Sequence, residues 1–196
     1  MHIPQPITIE GPTVRLEPLS MDHLADLEEA FQPGTWQWSF YRFLEGDMAG
    51  YIEHSLKMCR DTSRVAFAVI DIASGKAIGG TSYMNVQAHD DSVEIGYTWF
   101  GPKWQRTGRN RASKLLLLDH AFDDLEVNRV EFMGDADNAP SRNALEGIGA
   151  SFEGIIRENR RRTDGSYRST FYYSIIRSEW PDVRARLVDS IREVSG

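Results

Sequence analysis

The sequence predicts an α/β (α+β) chain folded as one domain around a mixed sheet. Three observations lead there. Apolar residues alternate singly in some segments and step by three and four in others, so strands and helices are both present. A strand, helix, strand passage in the second half requires a right-handed parallel crossover, while two strand pairs with short connections require antiparallel neighbours. The chain of 196 residues carries no repeat, low-complexity tract or linker-like stretch, which is the size and texture of one domain over residues 1–196.

The elements follow in order. Thr13 to Pro18 alternates Val14 and Leu16 with Arg15 and Glu17 and reads as a strand. Ser20 is placed to N-cap a helix through about Phe31, with Leu24 and Leu27 on one face. Residues 32–46 gather Trp36, Trp38, Phe40, Tyr41 and Phe43 around Pro33-Gly34, and a second helix over about 47–60 presents Met48, Tyr51, Ile52 and Leu56. Val65–Ile72 and Ala77–Asn85 form a hairpin across Ser74-Gly75-Lys76, and Val93–Phe100 is a further strand. The next helix carries Ala112, Leu115, Leu118, Phe122 and Leu125 at spacings of three and four. Arg129–Asp135 reads as a strand and Ser141–Ile148 as a short helix closed by Gly149. Ser151–Arg160 and Tyr167–Ile176 make a second hairpin, and a helix over about 178–194 ends the chain.

Composition narrows the function classes. With 41% hydrophobic and 26% charged positions the chain can bury a core of its own without disulfides. Cys59 is the one cysteine, so no internal disulfide forms, which fits a reducing compartment. Met1 to Pro6 has no apolar signal region and no stretch approaches 18 apolar residues, so the expectation is a cytoplasmic protein without a membrane partner. P-loop, dinucleotide-fold, zincin and nucleophile-elbow signatures are absent. His2, His23, His54, His89 and His120 share no metal spacing, so no metal is expected. The net charge of −7 argues against nucleic acid. One segment breaks the trend: from Lys103 to Lys114 there are five cations (Lys103, Arg106, Arg109, Arg111, Lys114) and no acid, which calls for an anionic partner.

That segment is a basic turn between a strand and a helix. The first N–H groups of a helix have no intrahelical partners, and the helix dipole places about half a positive charge there. Gly108 lets backbone approach a ligand closely, so with Arg106 and Arg109 the turn is suited to a pyrophosphate. The six residues Gln105-Arg106-Thr107-Gly108-Arg109-Asn110 resemble the Q-x-x-G-x-[G/A] loop of the GNAT superfamily of N-acetyltransferases, with Asn110 departing at the last place. Trp104, the run Asp135 to Arg142, the run Gly149 to Gly154, and Glu179-Trp180-Pro181 are similar to the RimJ/RimL-like branch, and the likeness covers about residues 10–182.

The resemblance implies a mostly antiparallel, twisted sheet and an enzyme that passes acetyl from acetyl-CoA directly to a primary amine. It implies that Thr98, Trp99 and Phe100 splay from the neighbouring strand to pair with the pantetheine arm, that the amides of Arg106 to Asn110 hold the pyrophosphate, that Asn138 bonds the pantetheine and that Ser141 sits near the sulfur. Ser141 is the candidate proton donor to the leaving thiol, or else a helix N-cap. Glu94, across the strand from Val93 and Ile95, is the candidate base and acceptor contact, or else a solvent-facing carboxylate, with Asp135 and Asp137 as substitutes. Trp36, Trp38 and Tyr41 are candidate acceptor contacts, or else core. The run Arg157 to Arg162 is a solvated hairpin tip or a guide for an acidic partner. The branch favours a protein or peptide N-terminal amine. A small-molecule amine, a non-catalytic acyl-CoA-binding module and a nucleic-acid binder are the rivals. The apolar hairpin and last helix are candidate surfaces for a homodimer.

Overall fold

Eight strands form one sheet in the computed structural model, which describes residues 1–38, 44, 46–62, 64–162 and 165–195. They are β1 (Ile9–Glu10), β2 (Val14–Pro18), β3 (Val65–Asp71), β4 (Ala77–Gln87), β5 (Ser92–Phe100), β6 (Arg129–Asp135), β7 (Ser151–Arg161) and β8 (Tyr167–Ile176). The spatial order is β1-β2-β3-β4-β5-β6-β8-β7. β5 and β6 pair in parallel, as the crossover between them demands, and the other neighbours are antiparallel. The helices are α1 (Leu24–Ala30), α2 (Met48–Asp61), α3 (Arg109–Asp119), α4 (Ala139–Gly147) and α5 (Trp180–Ser195). A 3-10 turn at Met21–His23 precedes α1, and a π turn at His120–Asp124 extends α3. Among the described residues no helix is long and apolar enough to cross a membrane.

Local chemistry explains most boundaries. Ser20 starts the first helical segment through a capping box, its hydroxyl accepting from Asp22 N while its own N–H donates to His23 Nδ1 at 3.1 Å. Asp47 caps α2 by accepting from Gly50 N at 2.8 Å. The expected helix start at Ser141 moves two residues earlier. Asn138 is the cap, accepting from Ser141 N at 3.1 Å, and Pro140 suits the first turn because a missing N–H costs nothing there. Ser141 is therefore not the N-cap.

Every residue of β3 is buried, because the sheet is covered on both faces there. Val65, Phe67 and Val69 point into a core shared with Leu117, Leu118 and Phe122 of the α3 segment and Trp180 of α5. Ala66, Ala68 and Ile70 point the other way, into a second core with Leu27, Trp36, Tyr51 and Ile52. Full burial of one such side chain contributes about 1.5–3 kcal/mol. At the far edge β7 is exposed along its length, including Phe152, Ile155 and Ile156.

Candidate active site

β5 and β6 part company in the middle of the sheet. Their pairing runs through Ser92–Arg129, Val93–Val130 and Glu94–Glu131 and ends there. The rest of β5 keeps its register with β4, and its ladder with β6 does not continue past Glu94, so β5 and β6 separate over Gly96 to Phe100. The register to β4 also shifts between Gly80–Trp99 and Ser82–Gly96, which inserts one extra residue on β5 at Tyr97–Thr98, and Tyr97 has φ +50°. This opening is where the expected splay at Thr98, Trp99 and Phe100 falls. Only backbone of Trp99 and Phe100 borders it. Trp99 is buried in the second core, with Nε1 donating to the Tyr51 hydroxyl at 3.1 Å, and Phe100 is buried in the first.

Two buried ionisable groups flank the end of the pairing. Glu94 is 5% exposed, so it is not a solvent-facing carboxylate. Its Oε2 accepts from Asn85 Nδ2 at 2.5 Å, and Gly96 leaves the room it needs, since a Cβ there would stand 3.1 Å from Glu94 Oε1. Burial pushes the carboxyl up to about 7, opposed by the Asn85 hydrogen bond and helped by Glu131 directly across the register. From the α3 side comes Lys114, whose Nζ donates to Thr98 Oγ1 at 2.8 Å and lies 5.5 Å from the centre of the Phe132 ring. Burial brings its amine down to about 7, with the charge of Glu94 pulling the other way. Thr98 in turn shares a 2.8 Å bond with Thr81. Lys114 is a correction to the five-cation segment: it lies in the core, on the face of α3 shared by Leu117, Leu118 and Ala121, and that spacing of three, four and seven was the signal for it.

The turn before α3 has the shape for an anion. Arg106 (φ +60°) and Gly108 (φ +82°) curl the chain on either side of Thr107, and Gly108 caps α3 without any side-chain bond to the first-turn amides. Gln105 Nε2 donates to Phe100 O at 3.1 Å and Thr107 Oγ1 to Trp104 O at 2.6 Å, tying the turn to the end of β5. Asn110 Oδ1 is buried without a partner in the structure. The side chain of Arg109 is a correction to the cradle. Its Nε is bound to buried Asp71 at 3.2 Å and its NH1 to Thr107 O at 3.1 Å, so it braces the turn. Arg111 reaches Ser190 O at 3.3 Å. Lys103 and Arg106 remain the exposed cations of the segment.

The residues after β6 divide. Asn138 Oδ1 is occupied by its capping bond, which leaves Nδ2 for a ligand, and the half-buried Ser141 hydroxyl makes no hydrogen bond among the described residues. Asp135 and Asp137 are poor substitutes for Glu94, because Arg162 NH2 holds them at 2.6 and 3.5 Å. Trp36 is a further correction: it is fully buried against Phe31, Tyr51 and Trp99, too deep to meet an acceptor. Trp38 is exposed, while Tyr41, Phe40 and Phe43 lie outside the described residues.

A split parallel pair, a bulge beside it and an anion-ready helix start are the arrangement that the resemblance to acyl-CoA-dependent acetyltransferases implies. The chain matches the acetyltransferase (GNAT) domain over residues 13–151 and belongs to that family. It is similar to the crystal structure of a GCN5-related N-acetyltransferase from Brucella melitensis, 30% identical, covering 96% of this chain and 87% of that one with a TM-score of 0.87. YdaF of Bacillus subtilis (strain 168), provisionally named a ribosomal N-acetyltransferase, is 28% identical over 86% of this chain and 92% of its own. Mycobacterium smegmatis RimJ in complex with CoA-disulfide shares the fold at 22% identity, with a TM-score of 0.78 over 97% of each chain. The protein is thus an acetyl-CoA-dependent N-acetyltransferase of the GNAT family.

Proposed function

We propose that the enzyme acetylates the free α-amine of a protein or peptide N-terminus by direct attack while both substrates are bound. Glu94 carries this reading, as a buried carboxyl with a pKa of about 7 at the point where the strands separate. An α-amine of pKa about 7.7–8.0 is neutral in roughly one molecule in six to eleven at pH 7, a cost of about 1–1.4 kcal/mol. A lysine amine of pKa about 10.4 is neutral in about one in 2,500, a cost of about 4.6 kcal/mol. A base poised near 7 is matched to the first task. The name of the Bacillus subtilis relative supports a protein acceptor.

Acetyl-CoA, when bound, supplies the activated thioester. The amides of Arg106, Thr107, Gly108, Arg109 and Asn110 hold its pyrophosphate, an assignment supported by the two positive-φ residues and the uncapped first turn of α3. The stretch Thr98 to Phe100, where β5 has separated from β6, and Nδ2 of Asn138 align the pantetheine chain. Glu94 takes the ammonium proton, and the Ser141 hydroxyl donates to the departing sulfur, whose thiol pKa near 8.5 needs modest help. Lys114 holds Thr98 in place from below.

The test is thiol release and mass shift with peptides of varied first residue, each made with a free and a blocked N-terminus and one internal lysine, beside polyamines and aminoglycosides. Acetylation confined to free N-termini is expected. Turnover only on lysine side chains or only on small amines overturns the reading.

A further inference from the structure

The sheet is covered unevenly on the face that carries Glu94. The second core, built with α1 and α2, lies over β3, β4 and the end of β5, and none of its residues comes from β6, β8 or β7. On the half of that face which α1 and α2 do not cover, the register places Glu131, Met133 and Asp135 of β6 beside Ser174, Tyr172 and Thr170 of β8, with Asp135, Ser174 and Thr170 buried. Arg168 is the next position of the same row, and Arg160 of β7 stands directly across from it.

Two guanidinium groups facing each other across a strand pair repel. The carboxylates around them are already engaged: Asp135 and Asp137 by Arg162, and Glu94 by Asn85. Among the described residues neither the Arg160 nor the Arg168 guanidinium makes a hydrogen bond or a salt bridge. Arg168 is half-buried; burial first, then Arg160 and Arg162, lower its pKa against the pull of Asp135 and Tyr97. The pair continues the row that begins at the end of the β5–β6 pairing, from Glu131 through Met133 and Asp135 to their β8 partners and on to Arg168, with Arg160 across from it.

We infer that Arg160 and Arg168 are the recognition site for a carboxylate on the acceptor, so that the enzyme selects peptides with an aspartate or glutamate within the first few residues. This rests on the peptide reading above and adds to it the chemistry of the chain behind the amine. A guanidinium fork matches a carboxylate in shape as well as charge. A nucleic acid fits less well, because a polyanion needs an extended cationic stripe and meets the net charge of −7 along its length, whereas one side-chain carboxylate meets only the pair.

The experiment compares matched free N-terminal peptides, Glu against Gln at the second and third positions, with the wild type, Arg168→Gln, Arg160→Gln and a doubly reversed Arg160→Glu/Arg168→Glu variant. For the wild type, KM for the Glu peptide is expected about tenfold below that for the Gln peptide, with kcat within about twofold. Arg168→Gln removes most of that gap by raising KM for the Glu peptide alone. Exposed Arg160→Gln removes less, about threefold. The doubly reversed variant turns the preference toward a Lys peptide. Acetyl-CoA affinity, read by tryptophan fluorescence, stays unchanged in all of them and reports that they are folded. Equal turnover of Glu and Gln peptides by the wild type, or equal weakening of both by Arg168→Gln, overturns the inference and leaves the N-terminal reading standing. Absence of turnover on every peptide overturns both. Salt-sensitive binding of an RNA oligonucleotide that Arg168→Gln abolishes, without peptide discrimination, assigns the pair to nucleic acid instead.

Discussion

Replacing Glu94 with glutamine is expected to stabilise the protein while slowing the enzyme, and the size of the first effect follows from the burial of the carboxyl. Its pKa stands at about 7 against an ordinary 4.5. As pH rises through 4.5 the unfolded chain loses this proton while the native state keeps it until about 7. Native stability therefore falls across that window, by about 1.4 kcal/mol per unit and about 3 kcal/mol in all. Below the window both states are protonated and the penalty vanishes. Glutamine keeps a carbonyl to accept from Asn85 Nδ2 and never ionises. The Lys114 amine, brought down to about 7, is mostly neutral at pH 8, so little attraction is lost and a gain of about 2–3 kcal/mol remains. At about 2–4 °C per kcal/mol for a chain of this length, Tm rises by roughly 4–12 °C. Thermal unfolding followed by circular dichroism at pH 4, 6 and 8, beside thiol release at pH 8, measures both effects. A variant less stable than wild type at pH 8, or a gain that is the same at all three pH values, refutes the argument from burial.

Lys114→Met has the opposite pH dependence. The native amine titrates at about 7 and the unfolded one near 10.5, so the wild type loses stability as pH falls through that range. Denaturant unfolding is expected to show methionine ahead by about 5 kcal/mol at pH 6 and level near pH 10.5. Gly108→Ala forces a Cβ into φ +82°, at a cost of about 1–2 kcal/mol, and a weaker acetyl-CoA affinity in calorimetry accompanies the loss. Arg109→Ala leaves Asp71, 1% exposed at its side chain, without its cation. Urea unfolding is expected to show a loss of about 1–3 kcal/mol, with the turn before α3 loosened and KM for acetyl-CoA raised.

The succession of strands and helices after β1, the parallel crossover and the place of the turn before α3 were legible in the chain. Each depends on residues close together: the alternation in β5, the capping box at Ser20, the spacing along α3, the glycine at 108. What the chain left open or misplaced has a cause of the opposite kind. The alternation of Glu94 with Val93 and Ile95 allows a base or a solvent-facing carboxylate, and burial beside Asn85 and Gly96 removes the second. Arg109 belongs by position to a ligand-binding turn, but an aspartate from the β3–β4 hairpin takes its guanidinium. Lys114 counted among the cations that call for an anionic partner until the sheet closed over it, and whether Trp36 meets an acceptor or joins the core was decided by Tyr51 and Trp99 packing around it. Arg160 and Arg168 became neighbours only when β7 paired with β8. Backbone preference is set by the nearest residues along the chain and can be read there. Desolvation and charge pairing are set by groups that distant segments bring together, so the pKa values, the bracing of the turn and the unpaired arginines arise with the packed fold.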